Sequence, residues 1–596
     1  MERDAAGAPP RPDATGERQL SRIGFLLLAL LAVAAIWAAY SNHFHNSFHF
    51  DDSHVIQNNA YIRDLSNIPG FFTGASKFSS WPTLSDYRPV SSASFALDYW
   101  RGGGLDLVTF HVTQWTLHLA LTVLLFFFFR RVLTDSGGSS RAPWLALFGS
   151  ALFALHRVQT ETVNYLCQRA EILATLGVVG SFVFYQYAPR WRKTLLWHLP
   201  WIAGAFAKQS AIVFAPLLAI YLGIFPAEAE ESRNGPRSRW PRWLSVSAPA
   251  FAIAAAFYGI QAKLAEPKLL RTLVSPGIYL QTQTFAYPHY FRLFLIPLGL
   301  SADPDWAPID HWYDTRVFAG VLLSVSFVAL ALLYARKRPL GRAFLFGALW
   351  FFVSLIPSSS LIPLSQMISD HRPYPAFIGL ILCLTAAADD WMGVGAPRSL
   401  SRRVTALATI AVLILVAQGI GTYRRNRDWQ SEETLWRSVT QESPGNGRAW
   451  MNYGGIFMAR ADYANARYCF SRAQTLLPNY DVLEVNLGIL DGAVGNRVEA
   501  ERHFQRALSL NFSTAMTNYY YGRWLHENGR ESEAAAQLSN VVSINPADLD
   551  ARHLLLEVYE RLGDSSRACV LARTTLRLVP ADPISSAVAA RKCTGG

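Results

Sequence analysis

Charge is what this chain has least of. Asp, Glu, Lys and Arg together make up 16% of its 596 residues, against about a quarter in an ordinary soluble domain. That is too little to solvate a wholly soluble protein of this length. Cysteine is equally sparse. Cys167, Cys383, Cys469, Cys569 and Cys593 are scattered, which excludes metal-ligand spacing and a dense disulfide framework and leaves the redox compartment open. No clear small-x-small cleavage motif follows the first apolar run, so that run reads as an uncleaved span and not as a removed signal peptide. The net charge of +11 does not point to nucleic acid, because Lys and Arg fall in short clusters between apolar runs, where they act first as topology signals.

Apolar residues, by contrast, are plentiful at 51%, with 18 Trp among them. The composition is that of a polytopic membrane protein with a soluble part attached. Residues 1–22 are rich in Pro, Arg and Ala and read as a disordered cytoplasmic tail. Runs near 23–40, 110–129, 143–155, 172–187, 195–207, 209–225, 244–264, 317–334, 343–356, 374–388 and 404–423 make about 11 spans within a domain at 23–425. The stretch 195–225 is read as two short spans around Lys208. Basic clusters then share one side: the N-terminal tail, Arg130/Arg131, Arg190/Arg192/Lys193, Arg233–Arg242, Arg336–Arg338 and Arg398/Arg402/Arg403. With that side cytoplasmic, the odd span count sends the C-terminal region to the outer face.

The remaining charges gather opposite the basic clusters. "NSFHFDDSHVIQNN" places Asp51 and Asp52 at the start of a long outer loop, 41–106. Arg88, His156, Glu161, Arg169, Glu171, Lys208, Asp370, His371 and Arg372 fall on the same face. Ionisable groups at membrane ends are costly unless solvated, paired or functional. Two readings stand for the acidic pair: an N-cap for a short helix starting at Ser53, or an outward-facing site. His43, His45, His49 and His54 lack a metal-binding period and read as interfacial side chains.

From residue 447 a period of 34 appears. Gly454, Gly488 and Gly522 share one column; Ala466, Ala500, Ala534 and Ala568 a second; Phe470, Phe504 and Leu538 a third. Pro478, Pro546 and Pro580 mark repeat ends, with Phe512 in place of Pro in the second repeat. This is the tetratricopeptide (TPR) pattern of paired helices. The repeats are 447–480, 481–514, 515–548 and 549–582, after a half repeat at 427–446, in a solenoid spanning 426–596. The first helix of each pair lines a concave groove. Its positions in the third repeat are Met516, Tyr519, Arg523 and His526, with Met451, Met458, Val482, Val485 and Ile489 in the first two. A partly apolar, adaptable groove suits an extended polypeptide better than a small sugar.

Several stretches together resemble a known family. "FDD" after the first span, "YRPVSSASFALDY", "FHVTQWTLHL", "ALHRVQTETVNYL", "QRAEILA", "AKQSAIVFAP" and "SDHRPYPAFIG", followed by the repeats, resemble the TPR-bearing transmembrane O-mannosyltransferases. These belong with the GT-C-type glycosyltransferases and their bacterial relatives. The resemblance covers nearly the whole chain from about residue 22. It implies an all-α fold: a polytopic GT-C-type helical domain followed by the TPR solenoid. It also implies a polyprenyl-phosphate-linked sugar as donor and a protein or peptide acceptor on the TPR groove. Asp51 would be the general base, and Asp52 would support it or help hold a divalent cation, Mg or Mn. Arg88, Arg169, Lys208, His371 and Arg372 would stabilise the leaving phosphate, and His156, Glu161, Glu171 and Asp370 would orient acceptor or base. The chain departs from the family at Arg157 (commonly Pro), at Gln209 and Asp370 (both commonly Glu), and at Pro373–Ala376 (commonly Leu-Tyr-Leu-Pro). The composition fits a bacterial inner membrane with a periplasmic solenoid; the eukaryotic family sits in the endoplasmic reticulum membrane. The other function class in view is a non-catalytic, membrane-anchored TPR scaffold.

Overall fold

Nearly every apolar run becomes a helix, and no strand occurs among the described residues. The computed structural model describes residues 14–81, 84–225, 242–264, 274–359, 363–364, 366–393, 397–511 and 514–593. The start of the N-terminal tail, most of the Arg233–Arg242 cluster and Phe512 lie outside the described residues. The chain divides into two compact units, residues 1–435 and 436–596.

In the first unit, long helices run back and forth between two ends of a bundle. They are α1 (Ala14–Tyr40), α3 (Leu107–Asp135), α4 (Ala142–Leu155), α6 (Arg169–Tyr187), α9 (Arg242–Leu264), α11 (Thr315–Lys337), α12 (Gly341–Leu355), α13 (Phe377–Gly393) and α14 (Pro397–Asn426), with α2 (Pro89–Arg101) and α5 (Gln159–Asn164) between them. At one end Tyr40 Oη donates to Ala154 O at 3.3 Å and Thr422 Oγ1 to Leu155 O at 2.7 Å. At the other, Arg141 pairs with Asp389 at 2.9 Å and Arg342 donates to Asp135 O at 3.3 Å. Arg336–Arg338 close α11 at this second, basic end, and Arg130 and Arg131 lie about one turn before the end of α3.

Six helices among the described residues are long and apolar enough to cross a membrane, and Ala142–Leu155, Gln209–Ile224 and Gly341–Leu355 are shorter apolar ones. The expectation of about 11 spans therefore holds by length for only six. A 14-residue helix such as α4 rises about 21 Å, less than the roughly 30 Å of a hydrocarbon core.

The doubtful stretch forms a broken hairpin, α7 (Leu199–Ala207) and α8 (Phe214–Ile224), interrupted at Lys208. Two glycines make this possible. A Cβ on Gly177 would strike Pro200 O, and one on Gly204 would strike Ala174 O and the Gly177 backbone, so α6 and α7 touch backbone to backbone. One helix was not anticipated: α10, Pro276–Leu295. Its Gln281, Gln283 and His289 break up the apolar run, and Gln283 donates to Met367 O at 2.7 Å.

The second unit repeats at 34 residues. Gly447–Ala459, Asp481–Ala493, Ala515–Glu527 and Leu549–Arg561 pair with Tyr463–Leu476, Arg497–Leu510, Glu531–Ile544 and Ser565–Leu578, and Pro583–Lys592 follows the last pair. The columns have a steric cause: a Cβ on Gly454 would meet the Phe470 ring, on Gly488 the Phe504 ring and on Gly522 the Leu538 side chain. Ala466, Ala500, Ala534 and Ala568 are fully buried. A disulfide, Cys569–Cys593, ties the last two helices together; scattered cysteines gave no sign of it.

The boundary between the units falls after Leu435, later than the expected 425/426. Residues 427–432 pack into the first unit because Trp429 is fully buried. His49 also bonds Trp429 O at 2.7 Å and Glu432 at 2.7 Å.

Candidate active site

The two acidic residues part company. Phe50, with φ of 51°, takes a left-handed backbone that costs an ordinary residue about 1–2 kcal/mol. Its ring packs against Tyr165 and Trp429. Asp52 beyond it is wholly buried and accepts from Cys167 N at 2.8 Å and His49 N at 3.1 Å. Burial pushes its carboxyl up to about 6 although these hydrogen bonds pull the other way. Asp51 keeps a side chain that is 64% exposed. Partial burial would raise its pKa, but contacts with His54 and Tyr165 and the nearby Arg88 charge outweigh this and hold it below the usual value. Asp51 is therefore ionised at neutral pH and open to solvent.

Asp51 and Asp52 do not converge, and no group of three or more His, Cys, Asp or Glu that could hold a metal occurs among the described residues. With both Asp52 oxygens taken by backbone N–H groups, the pair does not fit a shared divalent cation.

One cation, Arg88, acts on this carboxylate, and Lys208 and Arg372 make their contacts in a second group. Arg88, at the N-terminus of α2, pairs with Asp86 at 2.8 Å, stands over the Phe78 ring and acts on Asp51 through its charge. Lys208, at the hairpin break, pairs with Glu171 at 2.7 Å and reaches Gln168 Oε1 at 3.3 Å. Ser210 donates to Glu171 at 3.2 Å. Arg372 donates to the carbonyls of Met367 and Gln366 at 2.9 and 2.6 Å. Asp86 links the groups, accepting from Gln209 Nε2 at 3.1 Å while Gln209 also bonds Gln261 at 3.0 Å. This accounts for the departure at 209: a donor is needed there, and Glu would set a second carboxylate against Asp86. Beside Lys208's partner Glu171 lies a crevice of only about 10 Å³, lined by Glu171, Thr175, Ser210, Trp350 and Pro375 among others, room for about one water molecule. A larger cleft of about 620 Å³ lies in the solenoid around His553, Glu557 and Arg591 and contains none of these groups.

His371 meets Glu161 at 2.7 Å and Ser369 Oγ at 2.8 Å. Burial, with the Asp370 charge, pushes Glu161 well up. Burial, with the Lys208 and Arg372 charges, pulls His371 down to about 3. Both shifts favour the neutral forms of this pair, so the His371 imidazole stands there chiefly as a hydrogen-bonding group.

Three expected site residues are structural instead. Arg169 is fully buried, pairs with Asp98 at 2.6 Å, bonds Gln114 at 3.1 Å and Phe110 O at 2.9 Å, and lies over the Phe95 ring. It touches no open space, so it is no phosphate ligand. His156 is buried, bonds Phe294 O at 3.1 Å and stacks on the Phe294 ring, which removes it from any acceptor. Asp370 is buried, accepting from Ser301 N at 3.0 Å and facing His289 at 3.2 Å; the short Asp suits this enclosed place. The interfacial reading also fails for His43, His49 and His54, which are buried; only His45 is exposed. Tyr165, Asp86 and Asp98 were not singled out in the sequence, although all lie within or beside motifs that were.

In the solenoid groove, Met516 and Tyr519 are half-buried and Arg523 is exposed, bonded to Glu527 at 2.8 Å. His526 turns inward to Glu531 at 2.6 Å, and Met451 and Val485 are buried, so these three do not line the groove.

The fold and site define an all-helical, polytopic membrane protein that carries a TPR solenoid and an exposed carboxylate among cations. The chain is similar to proteins of one kind. "Protein O-mannosyl-transferase TMTC1" of Homo sapiens is 25% identical over 532 residues, covering 80% of this chain and 58% of that protein. TMTC4 of Mus musculus is 24% identical over 467 residues (70% and 62%), and Tmtc3 of Drosophila melanogaster 21% over 634 (94% and 66%). The chain thus spans about three fifths of the length of these curated relatives. No family model matches. Among solved structures, YrrB, a TPR protein with an unusual peptide-binding site, is 18% identical and covers 26% of this chain and 80% of its own, with a TM-score of 0.22; a likeness so slight carries no argument.

Proposed function

We propose that this chain is a GT-C-type membrane glycosyltransferase. It moves a mannose-like sugar from a polyprenyl-phosphate donor to a hydroxyl of a protein acceptor. The observation that carries the reading is the solvent-open, ionised Asp51 beside Arg88, in a cluster that continues through Asp86 and Gln209 to Lys208. A base and a set of cations are what displacement of a lipid phosphate requires. The acceptor oxygen attacks the anomeric carbon with inversion as its proton passes to Asp51. The bond from that carbon to the phosphate oxygen breaks, and the electron pair leaves with the polyprenyl phosphate. Arg88, Lys208 and Arg372 offset the charge that builds there.

The site end of the bundle lies opposite the end where Arg130/Arg131 of α3 and Arg336–Arg338 of α11 gather, which supports reading it as the outer face under the positive-inside rule. The disulfide Cys569–Cys593 fits an oxidising compartment for the solenoid, periplasm or endoplasmic reticulum lumen. The names of the relatives, protein O-mannosyl-transferases, favour a protein acceptor, and the solenoid would recruit it.

Recruitment has its own test. Tyr519→Ala combined with Arg523→Ala is expected to lower glycosylation of a protein acceptor by about tenfold, the usual effect of losing interface anchors. Slow hydrolysis of the lipid-linked donor, which needs only the membrane site, should persist. Equal loss of both activities, or of neither, contradicts recruitment by this groove.

A further inference from the structure

We infer that His54 is the positioning residue for the Asp51 base, clamped so that one edge of its imidazole faces the carboxylate. The inference rests on the proposed role of Asp51 and adds to it a residue that no motif or resemblance assigned.

The clamp is built from local sequence. Ser53–Gln57 is a single wide, π-helical turn closed by Asn58 N donating to Ser53 O at 2.9 Å, and the i,i+3 spacing brings His54 Nε2 to 3.4 Å from Asp51 Oδ1. On its other edge, His54 Nδ1 meets Ser79 Oγ at 2.9 Å. Ser79 Oγ accepts from Trp81 N at 2.9 Å and keeps its O–H free to donate to Nδ1. An ionised Asp51 can only accept, so the tautomer that bonds it carries the ring proton on Nε2, with Ser79 donating to Nδ1. The Trp81 indole stacks on the imidazole at 5.3 Å and 14°, fixing its plane. Ser80 N donates to His54 O at 2.9 Å, and Asn59 donates to Lys77 O and Phe78 O at 3.2 and 3.0 Å, so the two strands of the loop are pinned together. His54 itself is 5% exposed, while the carboxylate it faces is open. The ring is fixed at its Nδ1 edge and by stacking, and Nε2, which is buried and bonds no other group, faces the exposed acid, so it can hold that acid in one orientation.

The groups that face Asp51 are few. Besides His54 they are Tyr165 and Cys167 from the turn before α6, Arg88 from the start of α2, and Asp52, which is itself bonded by His49. His49 is in turn held by Glu432. His54 heads the contacts that hold the Asp51 pKa down against partial burial, so its removal should raise the pH at which the base becomes ionised.

Two substitutions separate position from bulk. His54→Asn keeps a polar atom near Nδ1, for Ser79, but has no donor at the Nε2 position. His54→Gln restores a donor there. The full chain in lipid nanodiscs is titrated by infrared spectroscopy, with the Asp51 carboxyl band identified as the one lost in Asp51→Asn. H54N is expected to raise the midpoint by about one pH unit, and H54Q to return it towards the starting value. With polyprenyl-phosphate mannose and a Thr-containing peptide as probes, the acid limb of kcat/KM should move the same way. In H54N kcat should fall about tenfold while KM for the donor stays put. An unchanged midpoint in H54N, or equal effects of the Asn and Gln variants, overturns the inference whatever the activity. A shifted midpoint in H54N together with full transfer by D51N would instead leave the contact standing and remove Asp51 as base.

Discussion

Asp51→Asn is expected to lower sugar transfer by about 10²- to 10⁴-fold, the usual cost of losing a general base, with no loss of folded protein. The substitution keeps size and most hydrogen bonding but cannot take a proton from an attacking hydroxyl. Its tolerance by the fold follows from exposure: the Asp51 side chain is 64% open, and surface changes away from buried networks usually lie within about 0.5 kcal/mol. The neighbouring acid makes the control. Asp52 is buried and accepts from two backbone N–H groups, so in Asp52→Asn an amide NH₂ would face one of them. That variant should fail in stability, measured as a lower melting temperature, before it fails in chemistry. Wild-type transfer by purified D51N refutes Asp51 as base.

Arg169→Leu is expected to abolish recovery of folded protein. The guanidinium is wholly buried and satisfies the Asp98 carboxylate, the Gln114 amide and the Phe110 carbonyl together. Removing one partner of such a pair costs about 3–5 kcal/mol because the other charge stays buried, a large part of the roughly 5–15 kcal/mol that holds a protein folded. Arg101 and Thr113 would still reach Asp98, at 3.2 and 2.6 Å, which places the loss towards the lower figure. Arg169→Lys should rescue little, since an ammonium lacks the planar fork that bonds several partners at once. The measurement is thermal unfolding in detergent, followed by size-exclusion fluorescence. A variant that melts like the wild type yet transfers no sugar would return Arg169 to the phosphate site.

These two residues also show what the sequence could and could not reveal. Asp51 was legible because a carboxylate at the edge of an apolar run is conspicuous wherever its partners are. The TPR columns were legible because the fit of Gly454 to Phe470 and Gly488 to Phe504 repeats within each helix pair. Arg169 was misread because a cation inside an apolar helix looks the same whether its partner is a ligand or Asp98 on another helix. His156 misled for the same reason. His54 reads from the sequence as interfacial because its edge meets Asp51 only once Ser53–Gln57 closes into a π-helical turn, and its other contacts come from Ser79 and Trp81 across the loop. Helix Pro276–Leu295 escaped notice because glutamines and a histidine that bond loop groups break up its apolar pattern. Local periodicity carried the solenoid; partners distant in the chain decided the site.

The central claim is that the membrane unit itself transfers a sugar from a lipid phosphate to protein. The most direct measurement reconstitutes the full chain in liposomes with polyprenyl-phosphate mannose and a folded, Thr-rich acceptor protein, and weighs the acceptor by mass spectrometry. The acceptor should gain hexose in step with release of polyprenyl phosphate, and the gain should disappear with D51N. Binding of the acceptor to the solenoid with no added mass and no phosphate released would contradict it and leave a membrane-anchored scaffold.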